Sequence, residues 1–135
     1  MTEPAMLHGE CLCRTIGYAV PDAFTYAWNC HCGGCRRATG SAFKPFAGIA
    51  ADQIRLVRGG DSIMHYGNGP NHDVHCGQCG SLLWSLVRDG QFVHVTLGTL
   101  IDTPAIRPQA HICVAFKAPW HVICDGLPQF EGLPP

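Results

Sequence analysis

The chain has 135 residues, nine of them cysteine, with a formal net charge of −1 and only 14% Asp, Glu, Lys and Arg. That length suits one domain over residues 1–135, and a 47% hydrophobic content supplies a core and argues against disorder. The near-neutral balance leaves no basic stripe, so a nucleic-acid partner is not expected.

In chain order, Met1-Thr2-Glu3-Pro4 lacks the basic start and apolar stretch of an export signal. The longest apolar runs, such as 112–116, are far too short to span a bilayer. A cytoplasmic protein with no membrane partner is expected, with its thiols kept reduced. Cys11-Leu12-Cys13 comes next, followed by strand-like stretches at 15–20 and 24–28. Cys30-His31-Cys32-Gly33-Gly34-Cys35 follows, with a short helix at most over 36–39. Further strand patterns cover 43–50, 53–57 and 62–66, then 81–87, 92–97 and 109–116, with Cys76-Gly77-Gln78-Cys79 between the two sets. Pro21-Asp22, Gly59-Gly60, Gly67-Asn68-Gly69-Pro70 and Asp89-Gly90 punctuate them, and Arg88-Asp89-Gly90-Gln91 reads as a hairpin turn. The pattern predicts an all-β fold with little helix, a two-sheet sandwich or partly open barrel stapled by metal.

The cysteine spacing carries the chemistry. A C-x-x-C turn brings two thiolates to one tetrahedral metal, and glycines at 33, 34, 77 and 80 suit such turns. An odd number of cysteines and dense clusters disfavour a disulfide framework. The two short pairs, Cys11, Cys13, Cys76 and Cys79, add up to one closed four-thiolate zinc site. Cys30, Cys32 and Cys35 are left as a three-thiolate site with one position open, so two zinc ions per chain are expected. Spacing alone leaves open a single zinc on four of the seven cysteines, or a histidine closing the central site. His31 lies between two ligands, so its ring is expected to point away; His65, His72, His75, His94, His111 and His121 are candidates only in three dimensions. Cys113 and Cys124 stand singly and are expected to pack as small hydrophobes.

Taken together, these motifs resemble the glutathione-dependent formaldehyde-activating enzyme family, which includes centromere protein V. The landmarks are His8-Gly9-Glu10-Cys11-Leu12-Cys13, the run from Cys30 through Arg36-Arg37-Ala38-Thr39-Gly40-Ser41, Cys76-Gly77-Gln78-Cys79-Gly80-Ser81, Pro119-Trp120 and Asp125-Gly126-Leu127-Pro128. The resemblance implies two packed sheets, structural zinc on Cys11, Cys13, Cys76 and Cys79, and active-site zinc on Cys30, Cys32 and Cys35. It also implies a carbon–sulfur lyase activity, the joining of glutathione and formaldehyde as S-(hydroxymethyl)glutathione, with a small thiol as partner. Two positions depart from the family pattern: Arg14 stands where Gly is usual, and His75 where an aromatic is usual.

Charge arguments point the same way. Three thiolates make zinc a weaker Lewis acid than three imidazoles would, and better suited to a fourth sulfur than to activating water. Arg36 and Arg37, and more remotely Lys44, could draw in an anionic thiol, while Thr39 and Ser41 are expected to cap local backbone. The alternatives are a non-catalytic zinc-binding interaction module, which needs only the closed site, and zinc storage or redox sensing through the central three thiols.

Overall fold

A computed structural model describes residues 3–135; Met1 and Thr2, part of the segment read against an export signal, lie outside the described residues. The strands are β1 (Met6–Glu10), β2 (Gly17–Pro21), β3 (Tyr26–Cys30), β4 (Lys44–Ala50) and β5 (Arg55–Arg58). They continue as β6 (Ile63–Tyr66), β7 (Asp73–Cys76), β8 (Leu82–Val87), β9 (Phe92–Thr96) and β10 (His111–Ile112), with one α-helix, α1 (Gly33–Thr39). A three-stranded sheet runs β1-β2-β5 and a seven-stranded sheet runs β10-β3-β4-β9-β8-β7-β6. The fold is mostly β, in two sheets, and no closed barrel forms among the described residues.

Alternation sorts the large sheet into two unlike faces. Ile49, Val93, Val95, Trp84 and Val74 point to the small sheet and pack with its Leu7, Tyr18 and Val20. Tyr18 meets Trp84 edge-on, with ring centroids 5.4 Å apart. The opposite face carries Cys30 paired with Lys44, His94 paired with Ser85, and Ser85 paired with Asp73. Gly48 belongs to this second face, and a Cβ there would lie 2.4 Å from the Tyr26 ring. Its absence lets Tyr26 lie across the sheet and reach His94 Nε2 at 2.6 Å.

The predicted stretches at 15–20, 24–28, 43–50, 53–57, 62–66, 81–87 and 92–97 all become strands, with ends shifted by a few residues. The Arg88–Gly90 hairpin turns through three positive φ angles, 54°, 56° and 79°, which joins β8 to β9 with matching twist. The strand expected over 109–116 stops at Ile112. Cys113 takes a left-handed φ of 56°, and Cys113 N and Val114 N donate to Gly132 and Phe130 of the tail instead. The helix begins three residues before the expected 36, because Cys32 caps it: its Sγ accepts from Cys35 N at 3.3 Å. β1 and β7 were not expected. His8-Gly9 interrupts the apolar alternation of the first, and the second is a four-residue strand ending on a metal motif.

Candidate metal centres and the adjoining cleft

Cys11 and Cys13 sit in the turn after β1; Cys76 ends β7, and Cys79 lies in the turn that leads to β8. The four sulfurs therefore link the small sheet to the large one. All four Sγ atoms lie within 4.8 Å of one another. Cys11–Cys13 and Cys13–Cys76 are each 3.7 Å apart. A tetrahedron with metal–sulfur bonds of about 2.3 Å has an edge of about 3.8 Å, so this donor set fits zinc.

Local hydrogen bonds hold the sulfurs in place. Ile16 N donates to Cys11 Sγ at 3.2 Å, and Gln78 N and Cys79 N donate to Cys76 Sγ at 3.4 and 3.5 Å. Gly80 closes this turn at φ 83°, with its N–H on Cys76 O. Thr15 and Ser81 hydroxyls stand 3.2 and 3.3 Å from Cys13 and Cys79. These contacts lower the Cys13 pKa and bring that of Cys79 down to about 5, whereas burial raises Cys11 to about 11. Arg14, in the same turn, holds a φ of 67° in a region where glycine is at ease.

Cys30, Cys32 and Cys35 form the second group, with their Sγ atoms also within 4.8 Å of one another. They come from the end of β3 and the first turn of α1. No histidine or carboxylate joins this group among the described residues. A neighbouring sulfur, Cys35, and burial together push the Cys30 pKa up. Cys113 also packs on Cys30, and burial followed by the Cys30 charge raises its pKa to about 11. Cys124 is exposed rather than packed, because the tail carrying it runs over the surface without regular structure.

His31 turns away from the sulfurs into a buried chain. The Asp125 carboxylate accepts from His111 Nε2–H at 2.9 Å, and on the other side of the ring His111 Nδ1 shares a hydrogen bond with His31 Nε2 at 2.8 Å. Burial, reinforced by His111 and His121, lowers the His31 pKa to about 4, which keeps the ring neutral. The chain ties the three-cysteine turn to β10 and to the Asp125-Gly126-Leu127-Pro128 segment. Thr39 donates to Cys35 O and Ser41 to Phe43 O, as the sequence suggests. Arg36 is bound to Phe116 O at 3.3 Å, while Arg37 is exposed.

A cleft of about 690 Å³ opens beside this second group. Cys32 and Cys35 lie along one side, Arg37 along the helix, and Lys44, Ser85 and His94 along the sheet. His75 is part of the wall and donates from Nδ1 to Gly80 O at 3.1 Å, so the second departure from the family pattern stands between the two metal centres. Ser85 and Asp73 carry no local motif and escape a reading of the sequence; His94 and His111, candidate ligands there, join neither cysteine group. Lys44 enters the sequence reading only as a more remote cation, after Arg36 and Arg37, for an anionic thiol.

Fold and thiolate geometry together define a mostly β protein with one four-sulfur and one three-sulfur group, each of a kind that can hold metal. The sequence profile described as glutathione-dependent formaldehyde-activating enzyme matches residues 6–115, and the chain belongs to that family. A crystal structure of a Rhodobacter sphaeroides protein shares the fold, with a TM-score of 0.60 at 22% identity, covering 73% of this chain and 91% of that one. No match was found among curated proteins. No helix among the described residues is long and apolar enough to cross a membrane.

Proposed function

We propose that this chain is a zinc-dependent carbon–sulfur lyase-type enzyme acting on a small thiol adduct, as in the joining of glutathione and formaldehyde. The observation that carries the reading is the three-cysteine group on the wall of a cleft large enough for a tripeptide-sized thiol. Family membership supports the reaction class, glutathione as the thiol and zinc as the metal. In this reading Cys11, Cys13, Cys76 and Cys79 hold a structural zinc, and Cys30, Cys32 and Cys35 hold the catalytic one. A single metal-stapled domain over 1–135 in a reducing, cytoplasmic setting completes it.

Bound on three thiolates, zinc supplies a thiophilic position that lowers the pKa of a fourth sulfur ligand. The chemistry forms one S–C bond: the thiol sulfur attacks the carbonyl carbon, the C=O π pair moves to oxygen, and the proton lost by the thiol ends there. The chain's own groups set the stage. Arg37, exposed at the cleft edge, suits the carboxylates of an incoming thiol. The His31–His111–Asp125 chain holds the cysteine turn in one orientation from behind, so its sulfurs need not reorganise during the reaction.

The test is metal content and exchange kinetics in Cys35→Ser. Protein purified without chelator is expected to hold two zinc ions, and the variant one, with thiol–formaldehyde turnover lost after subtraction of the uncatalysed rate. Loss of both metals, or activity that persists with one, would refute the division of roles. An unaltered fold with no turnover in the parent chain would favour the interaction-module alternative.

A further inference from the structure

Among the described residues Lys44 is the one buried cation in the cleft wall, with only 4% of its surface exposed. It stands opposite Cys30 in the β3–β4 ladder, where paired Cα atoms are about 4.5–5.5 Å apart, and it shares the cleft with Cys32 and Cys35. From β4 its ammonium reaches past β9 to Ser85 Oγ on β8, at 2.9 Å. Ser85 stands 2.6 Å from Asp73 Oδ1 on β7. A carboxylate can only accept, so the Ser85 proton points to Asp73 and the Ser85 lone pairs point to Lys44. The direction of the chain is therefore fixed: ammonium to hydroxyl to carboxylate.

This arrangement differs from a structural ion pair. A hydroxyl separates the two charges, and among the described residues Ser85 is the hydrogen-bond acceptor of Lys44 Nζ. An ammonium has three N–H groups, so two remain for whatever fills the cleft. Burial lowers the Lys44 pKa, and the Cys35, Asp73, Cys30 and Cys32 charges act in the opposite direction. His94, the next polar group on that face, is engaged by Tyr26 and stacked on Phe46 at 4.0 Å. Arg37 is exposed, and so suits a distant carboxylate rather than atoms beside the sulfur.

We propose that Lys44, aimed by Ser85 and Asp73, is the subsite for the oxygen on the carbon that joins the substrate sulfur. The inference rests on the reading of the three-cysteine group as the thiol-binding centre. As sulfur attacks an aldehyde, the C=O pair collapses onto that oxygen, and a buried ammonium stabilises the developing charge without reorganising. In the reverse direction the same N–H groups hold the hydroxyl of the adduct. Ser85 and Asp73 are positioning residues: they touch Lys44, not substrate.

The experiment compares the parent chain with Lys44→Met, Lys44→Gln and Ser85→Ala, each first checked for two zinc ions and an unchanged thermal midpoint. Steady-state exchange with glutathione and formaldehyde is one readout; calorimetric binding of glutathione, alone and with saturating formaldehyde, is the other. Lys44→Met is expected to lower kcat by about 10²–10³-fold, with KM for glutathione within threefold. Its affinity for glutathione alone should stay the same, while the tighter binding seen with formaldehyde disappears. Lys44→Gln, which keeps a neutral donor, and Ser85→Ala should fall between. The proposal is overturned if Lys44→Met keeps kcat within threefold, or if it loses glutathione binding in proportion to activity, as a carboxylate anchor would. It is also overturned if the parent chain binds glutathione no more tightly with formaldehyde present. A parent chain without turnover that still prefers the adduct, and loses that preference in Lys44→Met, would refute the reaction reading and leave the oxygen subsite standing. Should Lys44→Met fail to fold, Lys44→Gln and Ser85→Ala decide by the same two readouts.

Discussion

Cys11 and Cys13 meet Cys76 and Cys79 across a separation of 63 residues from Cys13 to Cys76, whereas Cys30, Cys32 and Cys35 share one turn. The donor atom is the same, but its placement differs. The first group sits between the two sheets, with Cys11 and Cys76 inside the apolar core; the second lies on the opposite face of the large sheet, beside a cleft. A metal in the first group closes a long loop and stabilises the pairing of distant strands. A metal in the second group orders six residues already held by a helix cap, so it contributes little to the fold. In the proposed reading its fourth position is left for chemistry, and the two faces of one sheet then separate stability from reactivity.

The sharpest way to break this contrast is to remove one sulfur from the long-range group. Cys76→Ser is expected to release that zinc and lower the thermal midpoint by roughly 10–20 °C, as loss of several kcal/mol does in a domain of this size. Melting followed by circular dichroism, with zinc counted in the same sample, checks it. A drop of only a few degrees would sink the staple assignment.

The reactive face should also be the acid-sensitive one. Burial, with Lys44 and Arg88 nearby, pulls the His94 pKa from 6.5 to about 3. The unfolded chain then binds a proton at pH values where the folded one does not. Stability is full above about pH 6.5 and falls by about 1.4 kcal/mol per unit down to about pH 3, or about 3 kcal/mol by pH 4.5. Denaturant titrations at several pH values should show that slope in the parent and a shallower one in His94→Phe.

Cys35→Ser probes the other half of the comparison. It should abolish turnover yet move stability by less than about 2 kcal/mol, because no distant strands depend on it. A larger loss would mean the short-range group also staples the fold. The smallest effect is expected at Arg14→Gly, which relieves a left-handed residue while adding freedom to the unfolded chain. A net gain of about 0.5–1 kcal/mol is expected in denaturant melts; a loss would show that the Glu10 ion pair at 3.5 Å outweighs the backbone strain.

Much of the molecule is written in short stretches of the chain. Period-two alternation marks the strands from Gly17 to Thr96 with the exception of β7, and the Asp89-Gly90 turn announces the hairpin between β8 and β9. The cysteine spacing marks three clusters, and counting ligands groups them as a set of four and a set of three. These features depend on neighbours in sequence, so composition and spacing reveal them. β10 and its continuation were misread because Cys113 adopts a left-handed conformation and its neighbours bond to a tail some fifteen residues away.

The zinc-type donor sets were therefore legible in the sequence, but their surroundings were not. His31 finds His111 across 80 residues, Lys44 finds Ser85 across 41, and Ser85 finds Asp73 across 12. None of these partners belongs to a motif. Each is delivered by strand register, and a slip of one residue would send it to the opposite face of the sheet. The sequence by itself marked which thiols could hold metal and roughly which segments are strands. Tertiary structure decided that one thiolate group locks two sheets together while the other faces a cleft with a directed ammonium, because only the packed registers bring those side chains to one place.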